Sequence, residues 1–403
     1  MSIRRAHGSF LTSALAAVAL GCGQDAADPT APPTAQSELA ATAAPLSFIQ
    51  VSLGFAHTCG VTTDHRAYCW GGNQRGQLGN GATNAWEVQT TPVAVVGGLQ
   101  FRHVSAGYDH TCGLTLDGLT YCWGLNMWGQ LGDGTLGGDN WRSAPVAVRG
   151  GRKFRQVRAG WSHTCAITPA DVAFCWGANE AGQLGDGTRV DAGRAVPVRV
   201  QGGLAWEQLS GGANYTCGVT TGQRLYCWGS NQYGQLGDGS TTARLTPRAV
   251  SGGRSFRQVD AGGLGHVCAV STADLAYCWG LNFLGALGDG TKSQRLTPGA
   301  VAGLRRFDHV NAGHYHTCGV TLAGRTFCWG SNDSGQLGDG TTMERLKPVA
   351  VGGNLDMRQV SAGLYHTCGV TSSDQAYCWG NGQLLGDGNT TRDLVPVPVA
   401  PPM

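Results

Sequence analysis

The chain has 403 residues, a formal net charge of +2 and only 13% charged residues, a balance that argues against a nucleic-acid or acidic-membrane surface. Its 65 glycines recur at fixed offsets rather than in tracts, so they mark tight turns and exclude a low-complexity chain. Length alone would suggest two or three domains, but internal repetition overrules that expectation.

The first segment, residues 1–22, has the layout of an export signal. Arg4 and Arg5 form a positive region, and Phe10 to Leu20 is apolar but too short to span a bilayer. It ends in Ala19-Leu20-Gly21-Cys22, similar to a bacterial lipoprotein cleavage box with Cys22 as the lipidated residue. The alternative is ordinary cleavage near Ala17-Val18-Ala19. Cys22 is the one cysteine outside the pairs described below, and an odd cysteine in an exported chain needs a fate. Residues 23–46 are rich in Ala, Pro and Thr without apolar period, which predicts a disordered tether.

Residues 47–399 are repetitive. Cysteine pairs count seven copies: Cys59/Cys69, Cys112/Cys122, Cys165/Cys175, Cys217/Cys227, Cys268/Cys278, Cys318/Cys328 and Cys368/Cys378. The step between copies shortens from 53 residues (59 to 112) to 50 (318 to 368), a period that suits one four-stranded propeller blade. Each copy opens on a short alternating run such as Phe101 to Gly107, whose small residues suit a crowded innermost strand. Two further runs, His110–Thr115 and Tyr121–Gly124, fold as a hairpin with a three-residue loop. The third loop position needs positive φ and holds His65, Gly118, Asp171, Gln223, Asp274, Gly324 and Asp374. Gly222, one place earlier in copy four, suggests a different turn there.

This register sets the two cysteines of each copy opposite one another, and seven intra-hairpin disulfides are the favoured pairing in an exported chain. Zinc is the competing reading, but three ligands repeated in every copy, with Tyr215 replacing His in the fourth, fit it poorly. The tryptophan after each second cysteine faces the opposite side of the sheet, so one blade's tryptophan should pack on a neighbouring blade's disulfide. The connection Gly-Gln-Leu-Gly-Asp-Gly-Thr has one acidic residue per loop, which favours a structural turn over a calcium site. No metal or cofactor is expected. Proline-containing runs such as Pro92–Val95 suit an outer edge strand. The last, Pro396–Val399, is expected to pair beside the first copy and so close the ring.

The pattern Val-x-Ala-Gly-x-x-His-Thr-Cys, followed by Cys-Trp-Gly-x-Asn-x-x-Gly-Gln-Leu-Gly, resembles the regulator-of-chromosome-condensation repeat. The resemblance implies an all-β, seven-bladed β-propeller with four antiparallel strands per blade. The founding activity of that family, nucleotide exchange on a small nuclear GTPase, is not expected here, because this chain has an export signal, no basic tail and no long wedge insertion. Other members bind proteins, and one resembling architecture is a secreted inhibitor of β-lactamase.

No nucleophile–base pair or paired carboxylates stand out, and the repeated histidines (His57, His110, His163, His266, His316, His366) are read as structural, bonding to backbone within the blade. Informative residues differ between copies. Strand direction puts two variable pairs on one rim, giving a candidate binding set of Phe55, Tyr108, Met127, Trp128, Trp161, Asn214, Tyr233, Leu264, Phe283, Leu284, Tyr315 and Tyr365. The opposite turns are charged. The sequence therefore predicts a monomeric, exported, non-enzymatic binding propeller for a protein or glycan, with a propeller lyase or hydrolase and a secreted enzyme inhibitor as the alternatives.

Overall fold

A computed structural model describes residues 44–402 except 139. The signal segment, Cys22 and the tether up to residue 43 lie outside the described residues.

Each copy folds into one four-stranded sheet whose strands follow chain order. In blade one these are Phe48–Leu53, His57–Thr62, Ala67–Asn73 and Asn84–Ala94. Seven such antiparallel sheets form the all-β propeller, with first strands lining the central channel. All seven hairpin positions have positive φ, and Gln223 at φ 60 conforms to the rest. The fourth turn thus does not differ: the hairpin register decides its geometry, and Gly222 only precedes it.

Period-two alternation does the packing. Cys59 stands directly opposite Cys69 in the hairpin, and every copy repeats this register. The disulfides are Cys59–Cys69, Cys112–Cys122, Cys165–Cys175, Cys217–Cys227, Cys268–Cys278, Cys318–Cys328 and Cys368–Cys378, with Cα–Cα distances of 4.0 to 4.2 Å. All fourteen half-cystines are buried, so they belong to the core and present nothing to a ligand. Each disulfide shares a core cluster with the tryptophan of the next blade. Cys59 and Cys69 pack with Trp123, Cys112 and Cys122 with Trp176, and Cys165 and Cys175 with Trp228. Cys217 and Cys227 meet Trp279, Cys268 and Cys278 meet Trp329, and Cys318 and Cys328 meet Trp379. Cys368 and Cys378 complete the ring against Trp70 of blade one. Each of these tryptophans is fully buried, and Trp123 Nε1 donates to the Gln77 carbonyl of the preceding blade at 2.9 Å.

Ring closure differs from the expectation. The last strand, Asp393–Pro398, pairs with Ala376–Gly380 of its own copy, with Cys378 opposite Val397. Blade one is already complete with four strands of its own. The seam from blade seven to blade one is instead held as the other seams are, by side chains. Gln359 clamps Val51 through both its amide groups, and Trp70 Nε1 donates to Leu384 O at 3.1 Å. The backbone of Phe48 also donates to Asp374 O at 2.8 Å.

Candidate functional site

The repeated histidines are placed by the second strand, which faces the next blade. His57 Nε2 meets Thr111 Oγ1 of blade two at 2.8 Å, and that hydroxyl donates to Gln77 O at 3.0 Å. The expected backbone bond within the blade is therefore replaced by a side-chain latch across the seam. Since the threonine proton goes to the carbonyl, the imidazole must donate from Nε2, which fixes its tautomer. Burial holds these imidazoles neutral, with His57 lowered to about 3. Six of the seven seams carry this His–Thr latch. At the seventh, Tyr215 of blade four faces blade five, where Val267 has no hydroxyl. The Tyr215 hydroxyl passes on to Gly262 O and His266 O at 2.7 and 2.8 Å.

The loop aspartates are likewise structural. Asp238 accepts from Ser240 and from Arg244 of the outer strand, the latter at 2.8 Å, and Asp339 and Arg345 repeat the pair at 2.7 Å. Their carboxylates are engaged by protein donors.

On the upper rim, the candidate aromatics divide into two groups. Phe55 stacks on Tyr108 (4.0 Å between centroids), Tyr108 contacts Trp161 (5.0 Å), and His314 stacks on Trp161 (5.3 Å) while also touching Phe55 (5.7 Å). Four rings from blades one, two, three and six thus meet at the channel mouth. Gly263 fits beneath them because a Cβ there would lie 2.7 Å from Trp161 Nε1. The second group lines an open cleft of about 330 Å³ over blades three to six, where Trp161, Asn214, Tyr233, Leu264, Phe283 and Tyr315 converge. Phe283 is 50% exposed and meets Tyr315 edge-on at 5.7 Å. Met127, Trp128, Leu284 and Tyr365 do not line this cleft; Met127 and Tyr365 are exposed, Trp128 and Leu284 half-buried.

Beside these rings, the channel holds a polar cluster that the repeat does not announce. One first-strand position reads Ser52, Ser105, Arg158, Ser210, Asp260, Asn311 and Ser361 around the ring. Most of these accept the next blade's backbone amide, as Ser52 does from Ala106 at 3.0 Å. Arg158 departs from this and turns its guanidinium to His103 Nε2. Asp260 accepts from Ala312 N at 3.1 Å, and burial raises it to about 6 against the pull of that bond and of Arg158. Reading that single column of residues across the copies would have found the cluster. His314, Gln232 and Gln235 were also missed, because neighbours on the rim come from different blades.

The lower mouth is charged, and its charges join blades. Arg155 pairs with Asp171 (3.0 Å) while donating to Trp206 O of the next blade (2.6 Å). Arg257 and Arg358 repeat the arrangement.

A seven-fold array of such blades, with the His–Thr–Cys and Cys–Trp–Gly hairpins, is the architecture of one repeat class. The Regulator of chromosome condensation (RCC1) repeat matches at residues 64–114, 117–167, 171–219, 223–270, 274–320 and 323–370, and the chain belongs to this family. It is 33% identical over 262 residues to the Ultraviolet-B receptor UVR8 of Arabidopsis thaliana, an alignment covering 64% of this chain and 58% of that receptor. The chain thus spans under two thirds of that relative's length. Among solved structures, human WBSCR16 superposes with a TM-score of 0.74 at 20% identity, covering 81% of this chain and 88% of that one. Prp20p of Saccharomyces cerevisiae, a protein with described binding to Gsp1p and histones, gives 0.73 at 19% identity, covering 88% and 87%. At those identities the likeness is one of fold.

Proposed function

We propose that this chain is an exported, non-enzymatic binding propeller that engages a macromolecular partner through its upper face. The observation that carries the reading is the cleft over blades three to six. There, partly exposed rings stand on a disulfide-stapled scaffold, and such rigid aromatic anchors supply binding free energy at little entropic cost. Seven buried disulfides fit an oxidising compartment, and with the lipoprotein-like box at Cys22 they support a propeller tethered at the cell envelope.

The test uses the immobilised full chain against detergent-solubilised native envelope material, followed by affinity measurement with the captured partner. Phe283→Ala should weaken that partner about thirtyfold, the effect of losing an anchor contributing roughly 2 kcal/mol. Arg325→Ala, on the opposite face, should leave it unchanged. Equal capture by wild type and Phe283→Ala would count against the upper face.

A further inference from the structure

Departures from the repeat gather at the seam of blades four and five, beneath the cleft. Tyr215 and Val267 replace the latch. The blade-five turn carries three residues, Gly263-Leu264-Gly265, between its glycine and histidine, where other copies carry two. Gly265 takes φ 116, and a Cβ on it would stand 2.9 Å from the Tyr233 ring. Any side chain at that position would intrude on the cleft, so the inserted glycine keeps it open.

The lining is chemically selective. Tyr233, Phe283 and Tyr315 present rings, Asn214 and Gln232 present amides, and no lining residue carries a formal charge. Equivalent turns in other blades do bear charges: Arg75, Asp109 and Glu180. Gln235 supports the arrangement, accepting from Tyr233 N at 2.9 Å while its amide nitrogen lies toward Gly265. An ionic ligand finds no counter-charge here and would lose hydration without return. A pyranose fits both parts of the lining, because its C–H face lies against aromatic rings and its hydroxyl rim exchanges hydrogen bonds with amides. The volume, about 330 Å³, is at the small end of ligand pockets and suits one or two sugar units.

We propose that this cleft binds a neutral saccharide, which rests on the upper-face reading above and narrows it. The experiment presents the full chain to an array of neutral oligosaccharides of glucose, galactose, mannose and N-acetylglucosamine, then titrates any hit by tryptophan fluorescence, with Trp161 in the cleft wall as reporter. At least one oligosaccharide should saturate the signal. Phe283→Ala and Tyr233→Ala should each weaken it tenfold or more without shifting the melting temperature. Arg325→Ala, on the opposite face, should leave affinity within twofold. An array without hits overturns the saccharide assignment, as does a hit indifferent to both cleft substitutions. If envelope capture still depends on Phe283 in that case, the upper face binds a protein; if capture is also indifferent, the reading beneath falls too.

Discussion

A hydroxyl and an imidazole meet at six seams, and at five of them the hydroxyl donates on to a carbonyl, so the unit of stability at the smallest scale is a latch between blades rather than a contact within one blade. Thr164→Val removes the acceptor of His110, leaving a fully buried imidazole N–H unpaired. That should cost about 1–3 kcal/mol in urea unfolding. The seam between blades four and five indicates the remedy, since Tyr215 opposite Val267 redirects its hydroxyl to two backbone carbonyls. His110→Tyr with Thr164→Val should therefore cost less than the sum of the single changes, by on the order of 1 kcal/mol. Strict additivity would mean the latch is not a coupled unit. The faces of Cys112 and Trp123 were legible in sequence, because strand alternation is local. The partner of His110 was not, because it lies 54 residues away across a seam. Arg158 and Asp260 were hidden by the same repetition that revealed the fold, which draws attention to what recurs.

Each blade is a closed unit: a hairpin with its staple, an inner strand and a clipped outer strand. The half-cystines are at most 1% exposed, so reductant can reach them only when a blade opens. Under native conditions, dithiothreitol and an alkylating agent should therefore label no pair cysteine within hours, whereas in denaturing urea all seven pairs should be labelled. Rapid labelling of the native protein would show that blades open singly. Each staple closes a short loop, with a sequence separation of 10, and should contribute ~2–3 kcal/mol through the unfolded chain. The pairing followed from hairpin register, as did the left-handed position at Asp171, whereas at Gln223 the register prevailed over the different turn that Gly222 suggested. Closure did not follow, because a strand such as Asp393–Pro398 satisfies its edge equally well beside its own copy or beside the first. Only packing at the Phe48–Asp374 junction distinguishes the two.

At the scale of the ring, the seams add up, and their sum makes stability depend on pH. His57, His110, His266, His316 and His366 are each lowered to about 3 by burial, and His163 to about 4. In the unfolded chain each titrates near 6.5, so below that pH the unfolded state binds protons that the folded ring refuses. Stability is therefore whole above pH 6.5 and falls with acidification toward pH 3, by about 1.4 kcal/mol per pH unit for each imidazole. Asp109 and Asp260 act oppositely: burial raises both to about 6, so they weaken the fold as pH rises from about 4 and are relieved by acid. The six latch imidazoles, joined by His314 (lowered to about 4) and His103 (held well below its ordinary value) through burial, outnumber two carboxylates, and the net slope is set by the histidines. Melting curves should stay level between pH 8 and 7, then drop steeply from pH 6 to 4.5, where the summed loss reaches the whole stability of an ordinary domain, roughly 5–15 kcal/mol. The double variant His110→Tyr with Thr164→Val removes one of the six and should move the acid midpoint downward. A melting temperature that holds constant to pH 4 would mean that the latches admit a proton at Nδ1 and that burial does not hold these imidazoles neutral.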